Sequence, residues 1–157
     1  MKQLFTLLLL ALPFLGFAQN ASYTLSSYHI EGTKAPNTHY LGEAWLGFVL
    51  QADATLPYNI TKATFKANST LDWHKHSGTQ VLIIVSGEGY YQEKGKDPIR
   101  IKEGDVLKCE PNTEHWHSSS KEKDVTYLAL YSGGTEWTEV LSQEAYDRVA
   151  QLLAGKK

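Results

Sequence analysis

An all-β domain, a barrel or sandwich of short strands with one short C-terminal α-helix, is the fold class this sequence predicts. Three observations predict it. Short β-like runs recur along the chain, separated by turn residues. No long helical stretch lies among them. The 157 residues, 42% hydrophobic and 20% charged, suffice for one domain with its own core and are too apolar for a disordered chain.

The elements follow in order. Lys2 precedes an apolar run from Leu4 to Phe17, and Gly16-Phe17-Ala18 offers a small-x-small cleavage pattern. Residues 1–18 therefore read as a signal peptide, with Gln19 as the mature start and a periplasmic or secreted protein as the consequence. The run is shorter than a membrane span and contains Pro13 and Gly16, so no membrane anchor is expected after cleavage. Residues 19–40, with Gly32, Pro36 and Asn37, read as an N-terminal arm. Residues 41–134 carry the barrel. Its candidate strands are Ala44–Gln51, Asn59–Lys66, Val81–Val85, Gly89–Glu93, Ile99–Lys102, Val106–Cys109, His115–Ser118 and Val125–Tyr131. Ser86-Gly87, Gly95-Lys96-Asp97-Pro98, Glu103-Gly104-Asp105 and Pro111-Asn112 supply turn chemistry between them. Residues 135–157 form a helical tail. There Ser142 is the expected N-cap, Tyr146, Val149 and Leu153 make an apolar stripe, and Gly155 sits near the C-cap.

Composition narrows the function. A formal charge of −2 without a basic run argues against a nucleic-acid partner. The single cysteine, Cys109, excludes an internal disulfide and any CxxC site, and is expected to be a buried hydrophobe.

The histidines carry the chemistry. Of the six, His29 and His39 are scattered, and the others form His74-Lys75-His76 and His115-Trp116-His117. Random placement would give about 0.2 such i,i+2 pairs. On a strand, that spacing points both rings to one face, so two pairs aimed at one interior describe a metal cage. The bland alternative is a polar patch on the barrel surface. Imidazole suits Zn, Fe, Ni and Cu, and oxygen ligands admit Mn. Trp116, pointing the opposite way, is expected to serve packing.

His74-x-His76, Gln80 and Gly87, followed by Gly104-Asp105, Pro111 and His115, resemble the two sequence motifs of the small single-domain cupins. The likeness covers roughly residues 41–140. His115-Trp116-His117, Gln80 and the tail Trp137, Val140 and Tyr146 are similar to the branch of carboxymuconolactone-decarboxylase-associated and manganese hydroxynitrile-lyase-like cupins. The resemblance implies a double-stranded β-helix, or jelly-roll barrel, and a homodimer. It implies one divalent metal ion (Mn, Fe, Ni or Zn) on His74, His76, Gln80 and His115. Departures from the motifs are Asn68 and Asn112 at glycine positions, Glu110 at a proline, Ser119 at an asparagine and Gln80 at the usual glutamate. Asn tolerates the left-handed backbone best after Gly, so the turns can survive. Gln leaves the metal charge uncompensated, which favours an anionic ligand. At the position of the hydroxynitrile-lyase base the chain has Tyr127, so His117 becomes the candidate base, with Tyr127 as acid or hydrogen-bond donor. His117 as a residue that only orients the metal shell is the equal alternative. Two functions follow. One is a metal-dependent enzyme (lyase, decarboxylase, isomerase or oxygenase) acting on a small carboxylate, carbonyl or hydroxyl compound. The other is a non-catalytic periplasmic cupin that binds a sugar or carboxylate.

Overall fold

The computed structural model describes residues 22–155. The expected signal peptide lies outside the described residues. Twelve strands and one helix are present: β1 (Thr33–Lys34), β2 (Tyr40–Leu41), β3 (Ala44–Leu50), β4 (Asn59–Phe65), β5 (Thr70–Leu71), β6 (Trp73–His76), β7 (Gln80–Glu93), β8 (Ile99–Lys102), β9 (Val106–Cys109), β10 (His115–Ser119), β11 (Val125–Tyr131), β12 (Thr135–Glu139) and α1 (Gln143–Ala154). Every strand pairing is antiparallel, in the order β1-β3-β4-β11-β7-β10-β5-β2, with β9 and β8 on β7, and β6 between β10 and β12. The sheet curls into a jelly-roll barrel, the architecture expected from the sequence.

The long strand β7 makes the curl. Its first half pairs with β11 and β9, and its second half with β10 and β8. The expected turn at Ser86-Gly87 lies instead inside this one strand, beside a register shift that leaves Val85 without a partner on β11. Gly87 has φ +80°, and a Cβ there would lie 1.9 Å from the Asp124 carbonyl oxygen. Only glycine lets the backbones approach that closely while the strand passes from one sheet to the other.

Alternation on β4 and β11 sends Thr61, Ala63, Phe65, Val125, Tyr127 and Ala129 inward, and β7 adds Leu82 and Ile84. Full burial of a side chain such as Leu82 contributes roughly 1.5–3 kcal/mol. Asn68 and Asn112 take φ values of 60° and 58°, the left-handed turns their side chains tolerate. Ser119 ties β10 to the turn before β5, donating to the Lys66 carbonyl at 2.6 Å and accepting from the Ser69 amide at 2.9 Å.

The tail differs from expectation at its start, where Thr135–Glu139 form β12 beside β6. The helix then begins at Ser142, whose hydroxyl accepts from the Ala145 amide at 3.2 Å. It buries Tyr146, Ala150 and Leu153. Tyr146 packs on Tyr90 and Trp116, and its hydroxyl donates to the Ser119 carbonyl at 3.1 Å. Trp116 is thus a packing residue on the outer face of the sheet. Gly155 ends the helix with a right-handed φ of −81°, so no left-handed cap forms. Among the described residues no helix is long and apolar enough to cross a membrane.

Candidate metal centre

Strand register builds the site. β10 pairs with β6 so that His115 lies opposite His74, with ring centroids 4.3 Å apart. One alternation further on, His76 and His117 share the inward face. Centroid distances are 5.1 Å for His74–His76, 5.5 Å for His74–His117 and 5.8 Å for His76–His115. All four rings are buried. His74 and His115 therefore occupy the middle, with His76 to one side and His117 to the other. Gln80, the first residue of β7, closes the His76 side. Its Nε2 donates to His76 Nε2 at 3.0 Å, and its Oε1 lies 2.9 Å from His115 Nε2.

Burial makes these imidazoles neutral. It is the largest cause of the downward shift at each ring, and neighbouring imidazoles add to it at His74, His76 and His117. His76 is lowered to about 4, and His74 and His117 fall well below their ordinary value. A neutral imidazole has one N–H and one lone pair. His74 Nδ1 donates to the Asp72 carbonyl at 3.0 Å, and His115 Nδ1 to the Thr113 carbonyl at 2.8 Å. His76 Nδ1 faces the Thr135 hydroxyl at 3.4 Å. These three rings consequently present Nε2 lone pairs inward, oriented by outer oxygen acceptors as in metal-binding histidines. His117 differs, because its buried Nδ1 has no partner.

The donor set fits a cation. Nε2 of His115 and Oε1 of Gln80 are 2.9 Å apart, and a neutral His115 has one proton to share between this contact and the Thr113 carbonyl. Adjacent ligand atoms of an octahedral ion with bonds near 2.1 Å are separated by about 3 Å. Among the described residues, ligand atoms of His74, His115 and His117 lie within 4.8 Å of one another, so three histidines are positioned to hold a metal ion.

The other sequence candidates take different places. Tyr127 has 0% exposure, and its hydroxyl donates to the Ser118 carbonyl. Its ring packs edge-on against His117, with centroids 5.0 Å apart. Burial raises its phenol well above the ordinary value, so it remains protonated. The residue supports His117 and does not line the cavity. Cys109 is buried, and burial pushes its thiol up to about 11, consistent with a packing role. His39 stacks on Trp137 at 4.3 Å and pairs with Asp72 at 3.1 Å, while His29 is exposed.

A cavity of about 100 Å³ opens beside the imidazoles. Its walls include Tyr40, Ala63, Phe65, Tyr131 and Trp137, which the sequence did not single out as a site. Alternation on β4 and β11 was the available signal for three of them. Trp137 could be placed only by β12, whose register sets it beside His74. Burial and the neighbouring Tyr131 raise the Tyr40 phenol to about 12.

Residues 61–131 match the family model described as Cupin domain. The acireductone dioxygenase of Bacillus pumilus (strain SAFR-032) is 25% identical over 75 residues, which are 45% of this chain and 43% of that protein. The chain thus spans less than half the length of the curated relatives it matches. A cupin-like protein from Thermotoga maritima superposes with a TM-score of 0.75 at 25% identity, covering 80% of this chain and 98% of that one. An RmlC-like cupin with a double-stranded β-helix from Methanocaldococcus jannaschii reaches 0.55 at 12% identity, covering 72% and 93%, and shows the fold alone.

Proposed function

We propose, from a chain that is a cupin in its fold and in the domain matched across residues 61–131, that the protein is a metal-dependent enzyme acting on a small oxygenated molecule. The observation that carries this reading is the cluster of four buried, inward-facing imidazoles with the Gln80 amide within 3.0 Å of His76 and 2.9 Å of His115. His74, His76 and His115, each with its outer nitrogen directed at an oxygen, and Oε1 of Gln80 would hold one divalent ion. Bound there, the ion supplies a Lewis acid for a carbonyl, carboxylate or hydroxyl oxygen. His117, neutral and bordering the cavity, is the residue that accepts a proton from a bound molecule in this reading. Tyr127 fixes the orientation of the His117 ring from behind.

A second reading has a specific observation behind it. The clustering of His74, His115 and His117 within 4.8 Å would make His117 the third imidazole ligand in place of His76. The protein would then lack a free base and act as a binder of small carboxylates.

Elemental analysis of the purified protein, followed by a substrate screen in air and under nitrogen, tests the enzyme reading. One metal ion per chain with product formation is expected. Bound metal with no turnover of any substrate class favours the binder. The reading extends to an extracytoplasmic location, supported by Lys2, the Leu4–Phe17 run and Gly16-Phe17-Ala18. N-terminal sequencing of protein from the cell envelope, with Gln19 as its first residue, is the expected result. It extends also to a homodimer, by family resemblance, which sedimentation would measure.

A further inference from the structure

The cavity has two unlike walls. β6 and β10 supply the imidazoles, while β3, β4 and β11 supply Leu46, Ala63 and Ala129. Among the described residues lining it there is no Lys, Arg, Asp or Glu. A charged group away from the imidazole wall would therefore lose its hydration without gaining an ionic partner. Size is a second restriction. A dry apolar cavity of about 150 Å³ accepts benzene, and this one is smaller, at about 100 Å³, with an open mouth. A hexose, with twelve heavy atoms and a hydroxyl on nearly every carbon, meets neither condition.

At the imidazole wall the ligand set is neutral, so the charge of a bound divalent ion is not cancelled by the protein. An anionic head is favoured there, since the rest of the lining offers only uncharged groups, among them the hydroxyls of Tyr40, Thr61, Tyr131 and Thr135. We infer that the cavity selects an aliphatic monocarboxylate of about three to five carbons, with its carboxylate toward the imidazoles and its chain against Leu46, Ala63 and Ala129. This rests on the metal reading above for the head group and on the chain's own apolar wall for the tail.

Calorimetric titration of zinc-loaded protein with acetate, propanoate, butanoate, pentanoate and octanoate tests it. Affinity should rise roughly fourfold for each methylene buried, up to four or five carbons, and fall for octanoate. The isosteric pair of pentanoate and 4-aminobutanoate isolates charge, and the ammonium compound should bind at least about tenfold more weakly. Ala63→Leu, which fills the cavity, should abolish pentanoate binding with metal content unchanged. Leu46→Ala should move the optimum toward longer chains, which keeps the test decisive should Ala63→Leu fail to fold. A profile flat from acetate to octanoate, or equal binding of 4-aminobutanoate, in protein carrying one metal per chain overturns the inference and leaves the metal reading intact. The same length optimum in protein that retains no metal supports the apolar selection and overturns the metal reading.

Discussion

His115 is held between two oxygens, its Nε2 at 2.9 Å from Oε1 of Gln80 and its Nδ1 at 2.8 Å from the Thr113 carbonyl. A neutral imidazole has one proton for these two contacts, and a cation beside Nε2 and Oε1 would take the place of the second. The loss of single members of this cluster is the direct test. His74→Ala, His76→Ala and His115→Ala should each lose bound metal, by about 10²-fold or more in affinity, as read by elemental analysis and metal titration. His117→Ala should retain metal and lose about 10²-fold in turnover. Metal retained in His76→Ala but lost in His117→Ala would transfer the third ligand to His117.

Gln80→Glu adds a carboxylate where the amide oxygen now stands. Attraction at short range should tighten the divalent ion, while partial cancellation of its charge weakens it as a Lewis acid. Competition against a chelator and the pH titration of bound solvent measure the two effects. No change in either would remove Gln80 from the ligand set.

Metal-free protein should lose stability on acidification. His76 is lowered from 6.5 to about 4, so below pH 6.5 the unfolded chain binds protons that the native chain refuses. The contribution is complete above about pH 6.5 and is lost as pH falls through about 4, with His74 and His117 extending the loss further down. Urea midpoints between pH 7 and 5, above most carboxylate titration, should decrease steadily, and His76→Gln should flatten the slope. A midpoint that rises on acidification contradicts the buried neutral cluster.

Tyr127→Phe removes a buried hydroxyl and leaves the Ser118 carbonyl without its donor. The expected cost is about 1–2 kcal/mol of stability with metal content unchanged, measured by denaturant unfolding. Loss of turnover without loss of stability would return Tyr127 to a chemical role.

Much of the barrel was legible because strand alternation is local. The runs at 44–51, 59–66, 99–102, 106–109 and 125–131 match observed strands within a residue. Ser86-Gly87 misled because a glycine inside a bent strand and a glycine in a turn have the same local signature. The difference is that Gly87 meets the Asp124 carbonyl, which is distant in sequence. β12 was illegible for a related reason. Thr-Glu-Trp-Thr-Glu has little apolar content of its own, and it becomes a strand by pairing with β6.

The sequence by itself determined the residue types and their spacing. Two His-x-His pairs, a nearby glutamine and alternating strands are enough to specify neutral donors on inward faces, since side-chain direction on a strand has a period of two. Which donors meet was decided only by tertiary structure. The β6–β10 register places His74 against His115, the pairing of β10 with β6 and β7 brings His115 to Gln80, and the Ser118 carbonyl holds the Tyr127 hydroxyl out of the cavity. The physical reason is that ligand distance and proton position depend on contacts between strands far apart in the chain, which no local pattern encodes.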